Sequence, residues 1–171
     1  MAENEVRVCC FCWKHDTLGV VYYDTIFGSF ELGSFHPSQF MTLFEKIKSL
    51  YFINDFLISF NADDEIVTFL QSDGSANVNI RKNIDFSFTG GLEALKEMTY
   101  FVSNEENEDV RMSIASGIVD ISSKAVVGAI GAIYQFVNDR NNHNDDNEDD
   151  RATKTKFFVS GFKSLKIAHG L

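Results

Sequence analysis

The chain has 171 residues, of which 44% are hydrophobic and 17 are phenylalanine, so it has the size of one domain and can form a substantial core. Its formal net charge of -10 at pH 7 repels polyanions, which argues against unaided tight binding to nucleic acid. The longest nearly apolar stretch, "AVVGAIGAIYQFV", is much shorter than the roughly 20 residues of a membrane span, and no leader pattern precedes it. We therefore expect a soluble intracellular chain without a membrane partner.

The first 35 residues predict an antiparallel meander of three strands. Residues 6–13 form an apolar run, "KHDT" supplies a polar turn, and "LGVVYYD" begins a second strand. A further turn near Gly28 leads into "SFELGSF", in which Phe30 and Leu32 share one face. Asp24 lies where the second strand meets this turn, so it is a candidate for chemistry as well as for turn formation.

The next segment predicts a helix, a strand, a second helix and a further strand. "HPSQFMTLFEKIKSLYF" places Pro37 in a position suited to a first helical turn, and its apolar residues have helical spacing. This stripe consists of Phe40, Leu43, Phe44, Ile47 and Leu50. "DFLISF", at 55–60, predicts a strand, and Asn61 is the expected cap of a helix through "DDEIVTFLQ". Alternation then predicts strand structure at Val78, Ile80, Ile84, Phe86 and Phe88.

The remaining chain predicts two helices, an acidic loop and a short ordered end. "GGLEALKEMTYFV" and the long segment 110–138 have helical spacing. The long segment carries an apolar stripe and a surface of small residues suited to close packing; these are Val126, Ile130, Ile133 and Val137, and Ala125, Gly128, Ala129 and Ala132. Residues 139–156 have almost no apolar side chains, so we expect an acidic disordered insertion. Order is expected to resume at 157, and the ending at Leu171 resembles a truncation or an internal boundary.

Five carboxylates are candidates for a two-metal nuclease site of the RNase H type. They are Asp24, Asp55, Asp63, Asp64 and Asp120. Such a site requires carboxylates that converge on metal ions about 4 Å apart. An aspartate in a turn also bonds its own backbone, and acidic residues in a first helical turn suit the helix dipole. The structural role is the stronger hypothesis for each of them, with metal-dependent cleavage as the alternative.

Other chemical motifs have weak support. Cys10, Cys12 and His15 are three of the four ligands that a zinc site needs, but buried thiols are the simpler interpretation, with Cys9 on the opposite strand face. The acidic run "NHNDDNEDD" lacks the glycine and final glutamate of a calcium loop. The sequence contains no phosphate-binding, dinucleotide or nucleophile-elbow motif. We assign no catalytic, cofactor-binding or metal-binding residue.

Four segments together resemble the connector domain of MutS-family DNA mismatch-repair proteins. "LGVVYYDTIFGSFELGSF" is similar to the opening hairpin of that domain, and "NVNIRKNIDFSF" to a later strand. "IASGIVDISSKAVVGAIGAIYQFVNDR" resembles its long buried helix, and "VSGFKSLKIAHGL" the start of the lever domain. Within the family, the likeness is greatest to the meiotic homologues of the fifth type, which pair with a homologue of the fourth type. The chain lacks the Phe-x-Glu wedge of mismatch readers.

The resemblance implies an α/β fold with an RNase H-like mixed sheet, an antiparallel meander followed by βαβ units, and flanking helices. Residues 1–138 would be the first part of the connector, 139–156 an insertion, and 157–171 the end of the connector with the start of a truncated helical lever domain. Connector domains have no nuclease activity; they relay signals between the ATPase and the clamp, and they bind partner proteins. No cofactor is expected in this chain.

For the intact protein, the resemblance implies an ATP-dependent, DNA-bound heterodimer with a second MutS homologue in the nucleus. It would act in meiotic crossover formation as a Holliday junction clamp, or in DNA mismatch repair. ATP and magnesium would bind an ATPase domain outside this chain, and branched or mismatched DNA would be held mainly by other domains. Two alternatives stay open, namely an RNase H-like metal-dependent nuclease and a free-standing interaction module.

Overall fold

The computed structural model describes residues 5–103, 107, 109, 119–143 and 159–167. Within these ranges a mixed six-stranded sheet lies between two layers of helices. The strands are β1 (Arg7–Lys14), β2 (Thr17–Asp24), β3 (Ser29–Phe35), β4 (Asp55–Ser59), β5 (Asn77–Arg81) and β6 (Gly161–Ser164). The helices are α1 (Phe40–Leu50), α2 (Asp64–Asp73), α3 (Phe88–Ser103) and α4 (Lys124–His143), with 3-10 turns at Pro37–Gln39 and Asn83–Phe86.

The strand order in the sheet is β5-β4-β1-β2-β3-β6. The first three strands form the predicted antiparallel meander, with Arg7 opposite Asp24 and Leu18 opposite Phe35. Strand β4 pairs parallel to β1, β5 parallel to β4, and β6 parallel to β3. The predicted α/β class and the predicted meander are therefore confirmed.

Alternation along β1 divides the core into two halves. Cys10 and Cys12 belong to the half beneath α3 and α4, which we call the α4 face of the sheet. Cys9 and Phe11 belong to the half beneath α1 and α2, which we call the α1 face. The three cysteines are buried free thiols, as the sequence analysis expected. Because successive strand residues point to opposite sides of the sheet, this short run contributes side chains to both halves of the core.

Helix α1 covers the α1 face with four of its five predicted apolar residues. Phe40, Leu43, Phe44 and Ile47 are buried. The fifth residue of the predicted stripe, Leu50, is 48% exposed because the helix ends there and the chain turns away at Tyr51.

Helix α4 lies unusually close to its neighbours, as its small residues predicted. Its apolar stripe is buried throughout. An ideal Cβ atom added at Gly128 would lie 2.4 Å from the carbonyl oxygen of Phe86, and one added at Gly19 of β2 would lie 2.5 Å from the carbonyl carbon of Ala125. An added Cβ at Gly91 of α3 would approach the carbonyl oxygen of Val127 to 2.2 Å. Contacts this close are possible where no side chain intervenes.

The segment after β6 is fixed by a hydrogen-bond relay through Tyr51. The Tyr51 hydroxyl donates to Glu31 Oε1 at 2.9 Å and accepts from the Lys166 backbone N–H at 2.9 Å. Burial raises the pKa of Tyr51, so this hydroxyl stays a proton donor at neutral pH. Leu165 and Ile167 are buried beside it.

Two local predictions were wrong. The strand beginning at Asn77 ends at Arg81, and Ile84, Phe86 and Phe88 belong to a 3-10 turn and the start of α3. Ile84 is exposed, whereas the turn directs Phe86 into the core beneath α4. The alternating pattern of the sequence therefore comes from this turn and not from a strand. The cap of α2 is Asp63, which accepts from the Glu65 N–H at 3.0 Å, and Asn61 lies in the preceding turn.

The long helix has different limits from those predicted. It begins at Lys124, after a turn at 119–123, and the predicted helical residues 110–118 lie outside the described residues. It continues to His143, so the first residues of the predicted disordered loop at 139–156 are helical. Asp139 and Arg140 form ion pairs with sheet residues, which explains why the helix continues there. The rest of the predicted disordered insertion, 144–156, lies outside the described residues, as do 157–158 and 168–171 of the segment predicted to end the connector and start the lever domain.

Replacing Gly128 with alanine tests the close approach of α4. We expect Gly128→Ala to lower the free energy of unfolding by about 1–3 kcal/mol, because the added Cβ displaces the helix from Phe86. Helix propensity alone would make alanine more favourable than glycine by about 1 kcal/mol. A loss of stability in Gly128→Ala would therefore come from packing and not from helix propensity. Urea denaturation measures the effect. Gly161→Ala is the control, since no atom lies within 4 Å of its added Cβ, and parental stability of Gly128→Ala would contradict the packing.

A charge on the buried stripe of α4 tests whether this face is core. Ile130 is fully buried, so Ile130→Asp should lower the free energy of unfolding by more than about 3 kcal/mol, because it buries an unpaired carboxylate. Thermal unfolding followed by circular dichroism measures the loss. Ile84→Asp, at a side chain that is 73% exposed, should retain the parental Tm; equal behaviour of the two variants would show that α4 is not buried.

Candidate functional site

A cleft opens at the carboxyl ends of the parallel strands β1 and β4. Trp13 and Lys14 end β1, and Ser59 ends β4. The cleft has a volume of about 380 Å³. Its lining residues are Cys12, Trp13, Lys14, Ser59, Asn61, Ala62, Asn83, Phe86 and Ser87. In open α/β sheets ligands bind outside the carboxyl ends of the strands, so this cleft is the candidate functional site.

Neutral polar groups supply most of the hydrogen-bonding capacity of the cleft. The Ser59 hydroxyl donates to Asn83 Oδ1 and accepts from the Asn61 N–H at 3.2 Å. Ser87 Oγ accepts from the Gly90 N–H at 3.0 Å in the first turn of α3. Hydroxyl and amide groups donate and accept equally well, so they can bind a peptide backbone or a carboxylate.

The charged and acidic groups of the cleft are few. Lys14 is the one charged residue among those that line it, and no aspartate or glutamate does so. Burial raises the pKa of Cys12 to about 11, although the nearby Lys14 ammonium acts in the opposite direction. The thiol therefore stays protonated at neutral pH and is a poor nucleophile. The cleft is suited to binding rather than to proton transfer or nucleophilic attack.

Two exposed apolar residues are adjacent in sequence to residues that line the cleft. Phe60 lies between two lining residues and is 76% exposed, and Ile84 follows the lining residue Asn83 and is 73% exposed. Inside the cleft the walls are Trp13, which packs edge-on against Phe40 at 5.6 Å between ring centroids, and the buried Phe86. Exposed apolar side chains beside a cleft are available for contact with a protein partner.

The candidate Asp24 lies at the opposite end of the sheet. It pairs with Arg7 across β1 and β2 and is almost fully buried. Its Oδ2 lies 3.3 Å from Arg7 Nε, and its Oδ1 accepts from the Ile26 N–H at 2.8 Å. The second bond closes the turn of the β2–β3 hairpin, so the predicted role of Asp24 in shaping this turn is confirmed.

The candidate Asp55 also lies at that end, but on the other face. It is the first residue of β4 and is 3% exposed. Oδ1 accepts from the Asn79 amide at 3.1 Å and the Asn77 amide at 3.4 Å, while Oδ2 lies 3.3 Å from Arg140 of α4. Strand alternation puts Asp55 on the α4 face, whereas Asp24 shares the α1 face with Tyr22. The two carboxylates therefore do not converge.

The other three carboxylates are separate from these two. Asp63 caps α2, and Asp64 is exposed in its first turn. Asp120 is exposed and accepts from the Ser122 N–H at 3.0 Å. None of the three lines the cleft, although α2 begins beside it.

The structure also separates the candidate metal ligands Cys10, Cys12 and His15. Cys10 and Cys12 are buried in the core, and His15 is exposed in the β1–β2 turn, where its φ is 49°. Across the described ranges, no group of three or more His, Cys, Asp or Glu side chains could hold a metal ion. The candidate calcium run at 142–150 lies outside the described residues from 144 onwards.

Two ion pairs that the sequence analysis missed join the end of α4 to the sheet. Arg140 pairs with Asp55, and Arg81 of β5 pairs with Asp139 at 2.5 Å. A third pair, outside α4, joins Arg81 to Asp85 of the following 3-10 turn at 2.9 Å. The Arg81–Asp85 pair has a spacing of four residues that was visible in the sequence. The other partners are far apart along the chain, and no local pattern connects them. The cleft was missed for the same reason, because its residues come from several turns.

No protein-family model matches this chain, and no curated protein matches it. Among the residues that the structure describes, no helix is both long and apolar enough to cross a membrane.

Removing Arg140 tests whether its ion pair stabilises the attachment of α4. We expect Arg140→Ala to lower the free energy of unfolding by about 1–2 kcal/mol, because the buried Asp55 carboxylate loses its cation. The estimate is moderate because the Arg140 side chain is partly exposed to water. Lys82→Ala, at an exposed position, is the control and should change stability much less. Equal effects on urea denaturation would show that Arg140 has no special role.

Proposed function

We propose that this chain is a non-catalytic connector domain of a MutS-family protein, with an RNase H-like fold. The support from the fold is the sheet: an antiparallel β1–β2–β3 meander to which β4 and β5 are added in parallel on the β1 side. Helices α1 and α2 provide the two crossovers. That arrangement agrees with the meander followed by βαβ units that the sequence resemblance implies.

The observation that carries the proposal is the separation of the carboxylates from the cleft. An RNase H-like nuclease needs several carboxylates that converge on two metal ions. Here the cleft at the carboxyl ends of β1 and β4 has no acidic lining residue. The buried Asp24 and Asp55 lie at the other end, on opposite faces, and each faces an arginine. An arginine already neutralises each charge that a metal ion would otherwise neutralise.

In this proposal the domain transmits conformational changes and binds other proteins. The exposed apolar residues around the cleft support a binding role, and the net charge of -10 favours protein partners over direct DNA contact. The intact protein would be a nuclear, ATP-dependent heterodimer with a second MutS homologue, acting in meiotic recombination or mismatch repair. ATP and magnesium would bind its ATPase domain, and other domains would hold branched or mismatched DNA.

A nuclease assay on the purified chain tests the non-catalytic role. With magnesium or manganese, we expect no cleavage of single-stranded DNA, duplex DNA or an RNA–DNA hybrid, because the carboxylates do not converge. Asp24→Asn, Asp55→Asn and the control Asp64→Asn should all behave like the parent. Cleavage that is lost in Asp24→Asn or Asp55→Asn but retained in Asp64→Asn would overturn the proposal in favour of a metal-dependent nuclease.

Sequencing of the transcript tests the family assignment independently of activity. The proposal expects an open reading frame that continues into a clamp region and an ATPase domain with a G-x-x-x-x-G-K-[ST] motif. A stop codon directly after Leu171 in the mature transcript would instead favour a free-standing interaction module.

A further inference from the structure

We propose that the cleft and its apolar rim, Phe60 and Ile84, bind a protein segment in which one acidic side chain lies between apolar side chains. This inference rests on the proposed interaction role and assigns that role to one surface. The acidic side chain would enter the cleft and meet Lys14, while its apolar neighbours would cover the rim.

The rim supplies the apolar part of the binding energy. Phe60 is 76% exposed and Ile84 is 73% exposed, more than any other large hydrophobic side chains in the described part of the chain. Both are held in fixed backbone, since the Phe60 N–H donates to the Arg81 carbonyl at 2.8 Å and Ile84 lies within a 3-10 turn. Rigid, exposed apolar side chains are favourable anchors because little conformational entropy is lost when they are covered.

The cleft supplies directional contacts for a polar group between those anchors. Its volume of about 380 Å³ accommodates an extended side chain together with part of its backbone. Ser59 and Asn83 bond to each other and can exchange that bond for one to a bound carboxylate or peptide group. Trp13 and Phe86 form apolar walls that limit access of water to the bound group.

Charge favours an acidic occupant over a basic one. Lys14 lines the cleft and forms no ion pair within the described part of the chain, so its charge is available to a ligand. The cleft also lies beside Ser87, at the amino end of α3, where the helix dipole favours negative charge. An occupant with a carboxylate near Lys14 therefore gains an ion pair there that a neutral occupant lacks.

The first turn of α2 limits the number and position of acidic groups in the occupant. Asp63, Asp64 and Glu65 are exposed and directly follow the lining residue Ala62. They repel any second carboxylate on that side of the cleft, so the acidic side chain must lie on the Lys14 side. A segment with a single acidic residue thus fits better than a generally acidic one.

Trp13 fluorescence gives a direct assay, because Trp13 is the chain's single tryptophan and lines the cleft. The probe is a capped synthetic peptide with one glutamate between two leucine pairs; matched peptides carry glutamine or lysine instead. With the full chain we expect saturable binding of the glutamate peptide and about two- to fivefold weaker binding of the glutamine peptide, consistent with one exposed ion pair. The lysine peptide should bind more weakly still.

Variants assign the binding to the proposed groups. Lys14→Gln should abolish the preference for glutamate over glutamine, while binding of the glutamine peptide stays unchanged. Phe60→Ser should weaken all the peptides, whereas the control Phe27→Ser removes a side chain that is 68% exposed at the hairpin tip and should have no effect. All three changes are at exposed or half-exposed positions. A Tm equal to that of the parent, measured by circular dichroism, would verify that each variant is folded.

The outcomes distinguish this inference from the proposed function. Equal binding of all three peptides, a preference unchanged in Lys14→Gln, or equal losses in Phe60→Ser and Phe27→Ser would each overturn the assignment of this surface. Those results would leave the non-catalytic connector role intact, because the nuclease assay and the transcript test it separately. Cleavage that depends on Asp24 or Asp55 would overturn the connector role, regardless of the outcome of the peptide-binding assay.

Discussion

The close approach of helix α4 to the sheet, to α3 and to the turn at Asn83–Phe86 is the constraint on which the other features of this protein depend. Glycines at three positions, Gly19, Gly91 and Gly128, allow backbone to meet backbone where a side chain would otherwise intervene. This approach buries the apolar stripe of α4 over the meander and brings the helix end within reach of Asp55. It also fixes the turn containing Phe86 beneath α4, and that turn forms one wall of the cleft.

Burial of Asp55 and Asp24 illustrates how similar side chains at one sheet end take separate structural roles. Each is buried with an arginine nearby, but the arginines come from different elements, α4 in one case and β1 in the other. Burying a carboxylate requires compensation by cations and hydrogen bonds. The compensation observed here links helix to sheet and closes a hairpin, and the cleft at the other end is left with hydroxyl, amide and ammonium groups. These features support the non-catalytic role that we propose.

Periodicity in the sequence was sufficient to predict the meander, the helices and the two-faced burial of the cysteine run. It failed between Arg81 and Phe88. There Ile84 is exposed and Phe86 is buried because both lie in a 3-10 turn, and this alternation resembles the pattern of a strand. It also misplaced both limits of α4: residues 119–123 form a turn, and the helix continues past 138, where the partners of Asp139 and Arg140 lie far away in the sequence. Asp55 and Arg140 are 85 positions apart in the sequence. The residues that line the cleft likewise come from several separate turns. Contacts of that kind depend on the tertiary fold, which no local pattern contains.

The pairing of β6 with β3 has a consequence for local unfolding. Ser160 bonds to the Phe27 carbonyl across 133 positions of sequence, and β6 itself is four residues long. Its backbone pairing is non-local and short, so we expect β6 and the segment that Tyr51 holds to open at lower free energy than the meander. Detachment exposes the hydrogen-bonding edge of β3 while both cores retain their helices. An exposed strand edge is itself a template for pairing with another chain.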